Sequence, residues 1–492
     1  MSTETPATVG TDTVGSWSDD VDVVVIGFGI GGGCAAVSAA AAGARVLVLE
    51  RAAAAGGTTS LAGGHFYLGG GTAVQQATGH PDSPEEMYKY LVAVSRHPDA
   101  GTRAKIRAYC EGSVEHFNWL EDLGFQFERS YFGGKAVIQP NTEGVMFTGN
   151  EKVWPFLEKA VPAPRGHKVP VPGDTGGASM VIDLLLKRAA SLGVEVRYET
   201  GATQLIVDET GVTGVAWKRF AETGAIRAKS VIIAAGGFVM NPEMVAKYTP
   251  KLAEKPFVLG NTYDDGLGIR LGVSAGGATQ HMDQIFITAP PYPPSILLTG
   301  VIVNKLGQRF VAEDSYHSRT AGFIMDQPDS AAFLIVDEAH LEHPKMPLVP
   351  LIDGWETVAE MEAALGIPRG NLTATLDRYN TYAARGEDPD FHKQPEFLAP
   401  QDKGPWGAFD MSLGKAMYAG FTIGGLATSV DGQVLRDDGT VVAGLYAVGA
   451  CASNIAQDGK GYASGTQLGE GSFFGRRAGA HAARGAGGAQ AR

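Results

Sequence analysis

One turn constrains this chain more than anything else in it. An apolar, β-branched run, Val21-Asp22-Val23-Val24-Val25-Ile26, leads directly into Gly27-Phe28-Gly29-Ile30-Gly31-Gly32. The run reads as a buried parallel strand. Gly27, Gly29 and Gly32 stand at G-x-G-x-x-G. The first permits a tight turn, the second lets backbone approach a pyrophosphate, and the third lets a helix pack close on the strand. An alanine-rich helix from Cys34 to Ala42 presents its free N–H groups and positive dipole end to phosphate. A second apolar strand, Arg45 to Leu49, ends at Glu50. That acid lies roughly twenty residues beyond the glycines, where a ribose hydroxyl needs an acceptor. The glycines alone would mark only a βαβ turn. Strand, glycines, helix, strand and acid in this order predict a dinucleotide site.

The rest of the composition narrows the partners. A chain of 492 residues exceeds one ordinary core, so two or three domains are expected. The net charge of -13 argues against nucleic acid and against anionic membrane surfaces. No apolar run is long enough to span a bilayer. Residues 1–18 are polar, with no basic flank and no apolar core, and read as a disordered arm and not a signal peptide. Cys34, Cys110 and Cys451 are scattered, which disfavours a disulfide framework, an iron–sulfur site and a redox-active C-x-x-C pair. A cytoplasmic, metal-free protein is the expectation.

Further glycine punctuation recurs along the chain. Gly56-Gly57-Thr58-Thr59-Ser60-Leu61-Ala62-Gly63-Gly64 places hydroxyls between glycine pairs directly after Glu50 and Arg51, and can offer donors to a phosphate or a flavin ring. Residues 83–123 are helical in pattern, with Ser83 as cap and Pro84 in the first turn. Residues 135–177 read as irregular, 178–192 as a helix, and 201–207 with 214–217 as a β-meander. The strand from Ile226 ends in Ala234-Ala235-Gly236-Gly237, and Asp264-Asp265-Gly266 precedes a short helix. From Ile285 the texture changes. Ala289 to Leu298 is proline-rich and apolar, a pocket wall or lid. Val301 to Asn304, Arg309 to Val311 and Phe333 to Asp337 read as strands; Trp355 to Leu365 and Leu372 to Ala384 read as helices. Residues 19–284 and 429–492 are assigned to one nucleotide-binding domain split in sequence, and 285–428 to an inserted α+β domain. The end returns to strand and glycine turn at Gly444 to Gly449, then Gly459 to Gly471 leads into a helix over 472–483, with a frayed end at 488–492.

Together these pieces resemble the flavoprotein family of fumarate reductases and 3-ketosteroid dehydrogenases, over nearly the whole chain. The resemblance implies an α/β fold with a Rossmann-like FAD-binding domain and an inserted capping domain, the site lying between them over the flavin ring. It places FAD against Gly27, Gly29, Gly31 and Gly32, then Glu50 and Arg51. It adds the loop residues Gly57, Thr58, Thr59, Ser60, Ala62, Gly63 and Gly64. Ala202, Ala235, Gly236, Asp265, Gly449, Gln467 and Leu468 complete the set. No His occupies the place where relatives attach flavin covalently, so noncovalent FAD is implied.

The fumarate branch holds a dicarboxylate with His and Arg. Its H-T-M-G-G run matches Phe421-Thr422-Ile423-Gly424-Gly425, and its Arg near the last helix falls at Thr466-Gln467. An anion site without cations would bury carboxylates unpaired. Instead, Gly461-Tyr462-Ala463-Ser464-Gly465 and Arg309-Phe310-Val311-Ala312-Glu313-Asp314-Ser315-Tyr316-His317 look most like the branch that desaturates carbons 4 and 5 of 3-oxo-5α-steroids. The resemblance then implies Tyr462 as base for the proton beside the ketone, with Tyr316 and Ser464 as its relay and flavin N5 as hydride acceptor. The start of the final helix can offer N–H groups to the ketone oxygen. Phe409 and Phe421 could add aromatic pocket surface. His65 and His317 are acid–base residue types, His65 reading as a loop residue near the cofactor. The alternatives are a Δ1-dehydrogenase, an enoate or enone reductase run in the opposite direction, and a flavin electron carrier without turnover. The implied substrate is a small apolar 3-oxo steroid. The electron acceptor, a quinone-like molecule among the choices, is left open.

Overall fold

The structure, a computed structural model, describes residues 4–95, 97–137, 139–254 and 257–487. Its main sheet is parallel at the centre. Strand Asp19–Ile26 lies between Val46–Leu49 and Glu222–Ile233, with Ile26 level with Leu49 on one side and Ile233 on the other. Val23, Val24 and Val25 are fully buried. A strand covered on both faces needs no polar alternation, which is why the apolar run is continuous. Glu195–Arg197 extends the sheet beyond Val46–Leu49, and Val441–Ala447 joins the far end of Glu222–Ile233. The near end of that long strand belongs to an antiparallel meander with Gly201–Asp208 and Gly211–Arg219.

The glycine helix runs Ile30–Ala41, starting four residues before the expected position at Cys34. Glycine is a poor helix former, and packing overrides that preference here. The last helix, Thr466–Gly487, crosses it at glycines. A Cβ on Gly475 would strike the Gly31 carbonyl, and one on Gly479 the Ala35 carbonyl. The two helices therefore touch backbone to backbone, and the helix made last in the chain seals the one made first.

Residues 285–428 hold a four-stranded antiparallel sheet of Val301–Asn304, Ala332–Asp337, Trp406–Asp410 and Leu351–Trp355. Helices Val358–Leu365 and Asn371–Ala383 cover one face of it, burying Met361, Leu372 and Leu376 against Val301, Val303 and Ile335. A second, three-stranded sheet joins Phe257–Val258, Ala419–Thr422 and Ile285–Thr288, so it straddles the boundary at 285.

Four local expectations are corrected. Residues 4–18 are not a disordered arm: Val9–Gly10 pairs in parallel with Ile206 and Val207, and Ser18 N–H donates to the Ala225 carbonyl at 2.8 Å. A polar segment can still complete an open sheet edge through its backbone. Arg309 to Val311 forms only an isolated bridge from Arg309 to Val303, and the Arg309 side chain pairs with Glu313 and Asp388. Trp355 ends a strand, and the helix starts at Val358 behind a Thr357 capping box. Phe409 is 1% exposed in the core with Leu334 and Met411, away from the aromatic cluster around Tyr462. Residues 1–3 of the expected arm and the expected frayed end at 488–492 lie outside the described residues.

Candidate active site

The turns after four parallel strands meet at one edge of the sheet. Gly27 N–H donates to the Leu49 carbonyl at 2.8 Å, Ala234 N–H to Ile26 at 2.8 Å and Val448 N–H to Ile233 at 2.9 Å. Ligands of open α/β sheets bind in the crevice outside these carboxyl ends. The crevice is built for close backbone approach. Gly27 has φ 98°, and a Cβ there would sit 2.6 Å from the Ala234 carbonyl oxygen. A Cβ on Gly32 would strike the Gly27 carbonyl, and one on Gly31 would lie 3.2 Å from Gly449 N. Gly29 caps the helix without a side chain.

Glu50 stands where the strand Val46–Leu49 ends. It accepts Phe28 N–H and Ala52 N–H, each at 2.8 Å, and so braces the glycine turn. Burial raises its carboxyl above the usual range, and these N–H groups offset part of that. Arg51 reaches Asp265 at 2.7 Å and lies over the Tyr263 ring. The stretch Gly57–Leu61 is a 3₁₀ turn. In it Thr58 donates to the Asp264 carboxylate, while Thr59 Oγ1 accepts Ile30 N–H at 3.1 Å. Ser60 sits against Gly56, whose φ is 113°. Ala62 and Gly63 lead to Gly64 at φ 89°, and the Gly63 carbonyl accepts the buried Lys168 ammonium at 3.1 Å. Ala235 leads to Gly236 at φ 78°, where a Cβ would strike Asp264. Ala202 is buried opposite Trp217 in the meander. Gln467 and Leu468 are in the first turn of the last helix. A backbone cradle, a desolvated acid and a hydroxyl-lined turn together fit FAD.

The second half of the site is aromatic. Tyr462 and Tyr316 are 146 residues apart in sequence and share one buried cluster with Phe286, Ile423 and Ala456, against which Phe421 packs. The Tyr316 and Ser464 hydroxyls are hydrogen-bonded at 2.6 Å. Tyr462 makes a different contact: its hydroxyl accepts Gln467 N–H at 3.3 Å, from the first turn of the last helix. Burial pushes the Tyr462 phenol up, and that N–H pulls it part of the way back. Burial also holds Tyr316 well above its ordinary value, with the Ser464 hydroxyl opposing.

Backbone contacts fix both tyrosines. Tyr316 caps the helix His317–Met325, and its N–H donates to Asn150 Oδ1 at 2.9 Å. Tyr462 follows the 3₁₀ turn Gly459–Gly461. Ser464 N–H donates to the Thr148 carbonyl at 2.9 Å, and Gly465, at φ 94°, accepts Tyr67 N–H at 3.0 Å. Ser318 Oγ ties the two segments by donating to the Gly459 carbonyl at 2.7 Å.

The walls around Tyr462 are hydrocarbon. Phe286 and Phe421 stack with centroids 4.7 Å apart, and both present edges or faces to the Tyr462 ring at 4.9 and 5.6 Å. Phe421, the residue standing where the fumarate branch has His, is thus part of an aromatic wall. The proline-rich segment lies near: Ala289, Tyr292 and Leu298 line a small enclosed space with His317. His317 is buried and neutral, its acidity shifted to about 3 by desolvation, with Nδ1 2.6 Å from Thr288 Oγ1. His65 is likewise held near 3, and it lies in the strand His65–Tyr67 instead of a loop.

Four contributors escaped the sequence reading. Asn150 and Thr148 position Tyr316 and Ser464 from the stretch read as irregular, where no periodicity flags them. Asp264 receives Thr58 and sits beside the Asp265 that was singled out, so the paired acids were the available signal. Glu470 is fully buried in the last helix and accepts Ile455 and Ala456 N–H at 2.9 and 3.0 Å. Its carboxyl is pushed up to about 7 by burial, with Lys105 nearby opposing. Among the described residues no group of His, Cys, Asp or Glu is arranged to hold a metal ion, and no helix is long and apolar enough to cross a membrane.

Fold and site define a flavin-dependent oxidoreductase acting on CH–CH groups. Residues 22–471 match the FAD binding domain family, and the chain belongs to that family, with FAD as its cofactor. The chain is similar to a solved 3-ketosteroid-Δ4-(5α)-dehydrogenase from Rhodococcus jostii RHA1 in complex with 4-androstene-3,17-dione, at 40% identity and TM-score 0.90, over 97% of this chain and 99% of that one. It is also similar to a urocanate reductase of Eggerthella lenta, 30% identical over 94% of this chain and 75% of the relative. A flavocytochrome c3 fumarate reductase structure in an open conformation matches at 25% identity and TM-score 0.64, over 96% of this chain and 79% of that one.

Proposed function

We propose that this protein introduces a 4,5 double bond into 3-oxo-5α-steroids, with Tyr462 taking the proton from carbon 4. The observation that carries this reading is the union of Tyr462, Tyr316 and Ser464 in one buried cluster packed by Phe286 and Phe421. A dicarboxylate would find hydrocarbon beside Tyr462, where burying its charges unpaired costs several kcal/mol, on the order of the penalty for an isolated buried ion. A flat apolar ring system gains roughly 25 cal/mol per Å² buried on the same walls. The similarity to the Rhodococcus jostii dehydrogenase adds support.

In this mechanism the C4–H bond breaks toward the Tyr462 oxygen and the C4–C5 double bond forms as hydride leaves C5. When bound, FAD supplies the two-electron acceptor for that hydride. Gln467 N–H, at the positive end of the last helix, stabilises the Tyr462 oxygen while it is anionic. The hydrogen-bonded Tyr316–Ser464 pair is the adjacent route by which its proton leaves toward solvent. The segment 285–428 acts as the capping domain, bringing Tyr316 to the cofactor domain's Tyr462 and Ser464. FAD is held noncovalently and released by acid or heat.

Anaerobic mixing tests the reading. A saturated 3-oxo-5α-steroid is expected to bleach the flavin and yield a 4,5-unsaturated product, its 5β epimer to react poorly and succinate not at all. A 1,2-unsaturated product would assign the protein to Δ1-dehydrogenation. Bleaching by succinate with no response to any ketosteroid would overturn the proposal.

A further inference from the structure

A cleft of about 440 Å³ is lined in part by the two segments that carry the tyrosines. Val94, Pro98, Phe156 and Phe323 give it apolar walls, and Arg103, Arg319 and Lys460 give it cations. His97 and Asp458 complete its titratable lining. On a chain of net charge -13 such a concentration of positive charge needs a reason. Lys460 is already paired with Asp326, and its N–H is received by Asp458 at 2.9 Å. Arg103 Nε donates to the Pro98 carbonyl at 3.0 Å.

Arg319 is different. Its guanidinium lies 4.9 Å from the ring centres of both Phe156 and Phe323, so two aromatic faces fix its orientation. Its Nε is buried and has no hydrogen-bond partner among the described residues. Among the described residues Arg319 has no ion-pair partner, and a cleft-lining guanidinium held between two rings matches a carboxylate, which its terminal nitrogens can bind. The apolar walls beside it match a hydrocarbon body.

We propose that this cleft binds an amphipathic monocarboxylate, with its apolar body against Val94, Pro98 and Phe156 and its carboxylate on Arg319. Arg319 lies in the first turn of the helix that Tyr316 caps, and Gly461 of the lining immediately precedes Tyr462. A ligand here therefore clamps the same two segments that Ser318 joins. The carboxylate has two possible sources: a second, separate molecule, or an acidic side chain on the steroid itself, the latter resting on the proposed function.

Calorimetric titration of the FAD-loaded protein with decanoate and with decanol tests the site without turnover. Decanoate is expected to bind, and Arg319→Gln to weaken it by about tenfold or more while leaving decanol unchanged. Arg319→Lys should recover part of the loss. Lys460→Gln, which removes another cation of the lining, is expected to weaken decanoate alone and guards against a misfolded Arg319 variant. Absence of decanoate binding, or binding that neither variant alters, overturns the inference. An acid-tailed 3-oxo-5α-steroid then separates the sources. If it displaces decanoate, and its KM alone rises in Arg319→Gln, the carboxylate belongs to substrate. If decanoate stays bound beside it, the ligand is a second molecule. Failure of every steroid to bleach the flavin would end the proposed function and leave the decanoate result standing.

Discussion

At the scale of single residues, the proposed chemistry asks a buried phenol to act as a base. Burial pushes the Tyr462 phenol up, and only Gln467 N–H opposes, so the resting hydroxyl is protonated at neutral pH. The ionised fraction therefore grows with pH, and kcat should rise from neutral into alkaline solution without reaching a plateau near pH 8. Tyr462→Phe keeps the ring contacts with Phe286 and Phe421 and loses the oxygen. Its kcat should fall by a factor on the order of 10² or more, the range for general acid–base groups. Flavin spectrum and steroid binding should survive. Tyr316→Phe and Ser464→Ala break the 2.6 Å contact and should slow turnover by less. Stopped-flow reduction rates across pH check all three variants, and wild-type reduction by Tyr462→Phe would move the base elsewhere. The sequence singles out these three side chains because they sit in distinctive short motifs. It could not disclose that Tyr462 bonds to Gln467 while Ser464 bonds to Tyr316, since that depends on how the turn at Gly465 is bent.

At the scale of elements, the last helix does three tasks. Its glycines seat it on the helix Ile30–Ala41, its first turn addresses Tyr462, and Glu470 ties it to residues 455 and 456. The third task carries a pH signature. The Glu470 carboxyl moves from an ordinary 4.5 to about 7 on folding. Between those values the folded protein binds more protons than the unfolded chain, so stability falls as pH rises through that window. Glu470→Gln keeps an acceptor for both N–H groups and removes the titration. Its Tm should decline less between pH 5 and pH 7.5 than that of the wild type. Parallel slopes by differential scanning fluorimetry would count against this account. Element by element, the strongly patterned parts were legible: the buried strand, the meander, and the helices after Ser83 and near Ala178. What was not legible came from tertiary context. The helix at Ile30 starts among glycines because another helix covers it, and the polar stretch before Asp19 is held by a sheet edge.

At the scale of the whole molecule, the cradle draws on both ends of the chain. Gly27 and Glu50 come from the beginning, Ala235 from the middle and Gly449 from near the end. A ligand that touches all of them links parts that otherwise meet only through the sheet. FAD at a hundred times its Kd should stabilise the fold by about 2.7 kcal/mol. The Tm of apoprotein refilled with FAD should therefore rise with FAD concentration. A Tm independent of added FAD would show that the cradle forms without gaining from its ligand.

That arrangement also sets an order of events during synthesis. The glycine turn leaves the ribosome long before the strand and the helix that complete it. The strand Val441–Ala447 must still arrive beside Glu222–Ile233, and the helix Thr466–Gly487 must still close over Ile30–Ala41. Vitamin capture is thus postponed until the helix Thr466–Gly487 has been made. A yellow molecule is one in which that helix was made, and a chain broken off before it stays colourless.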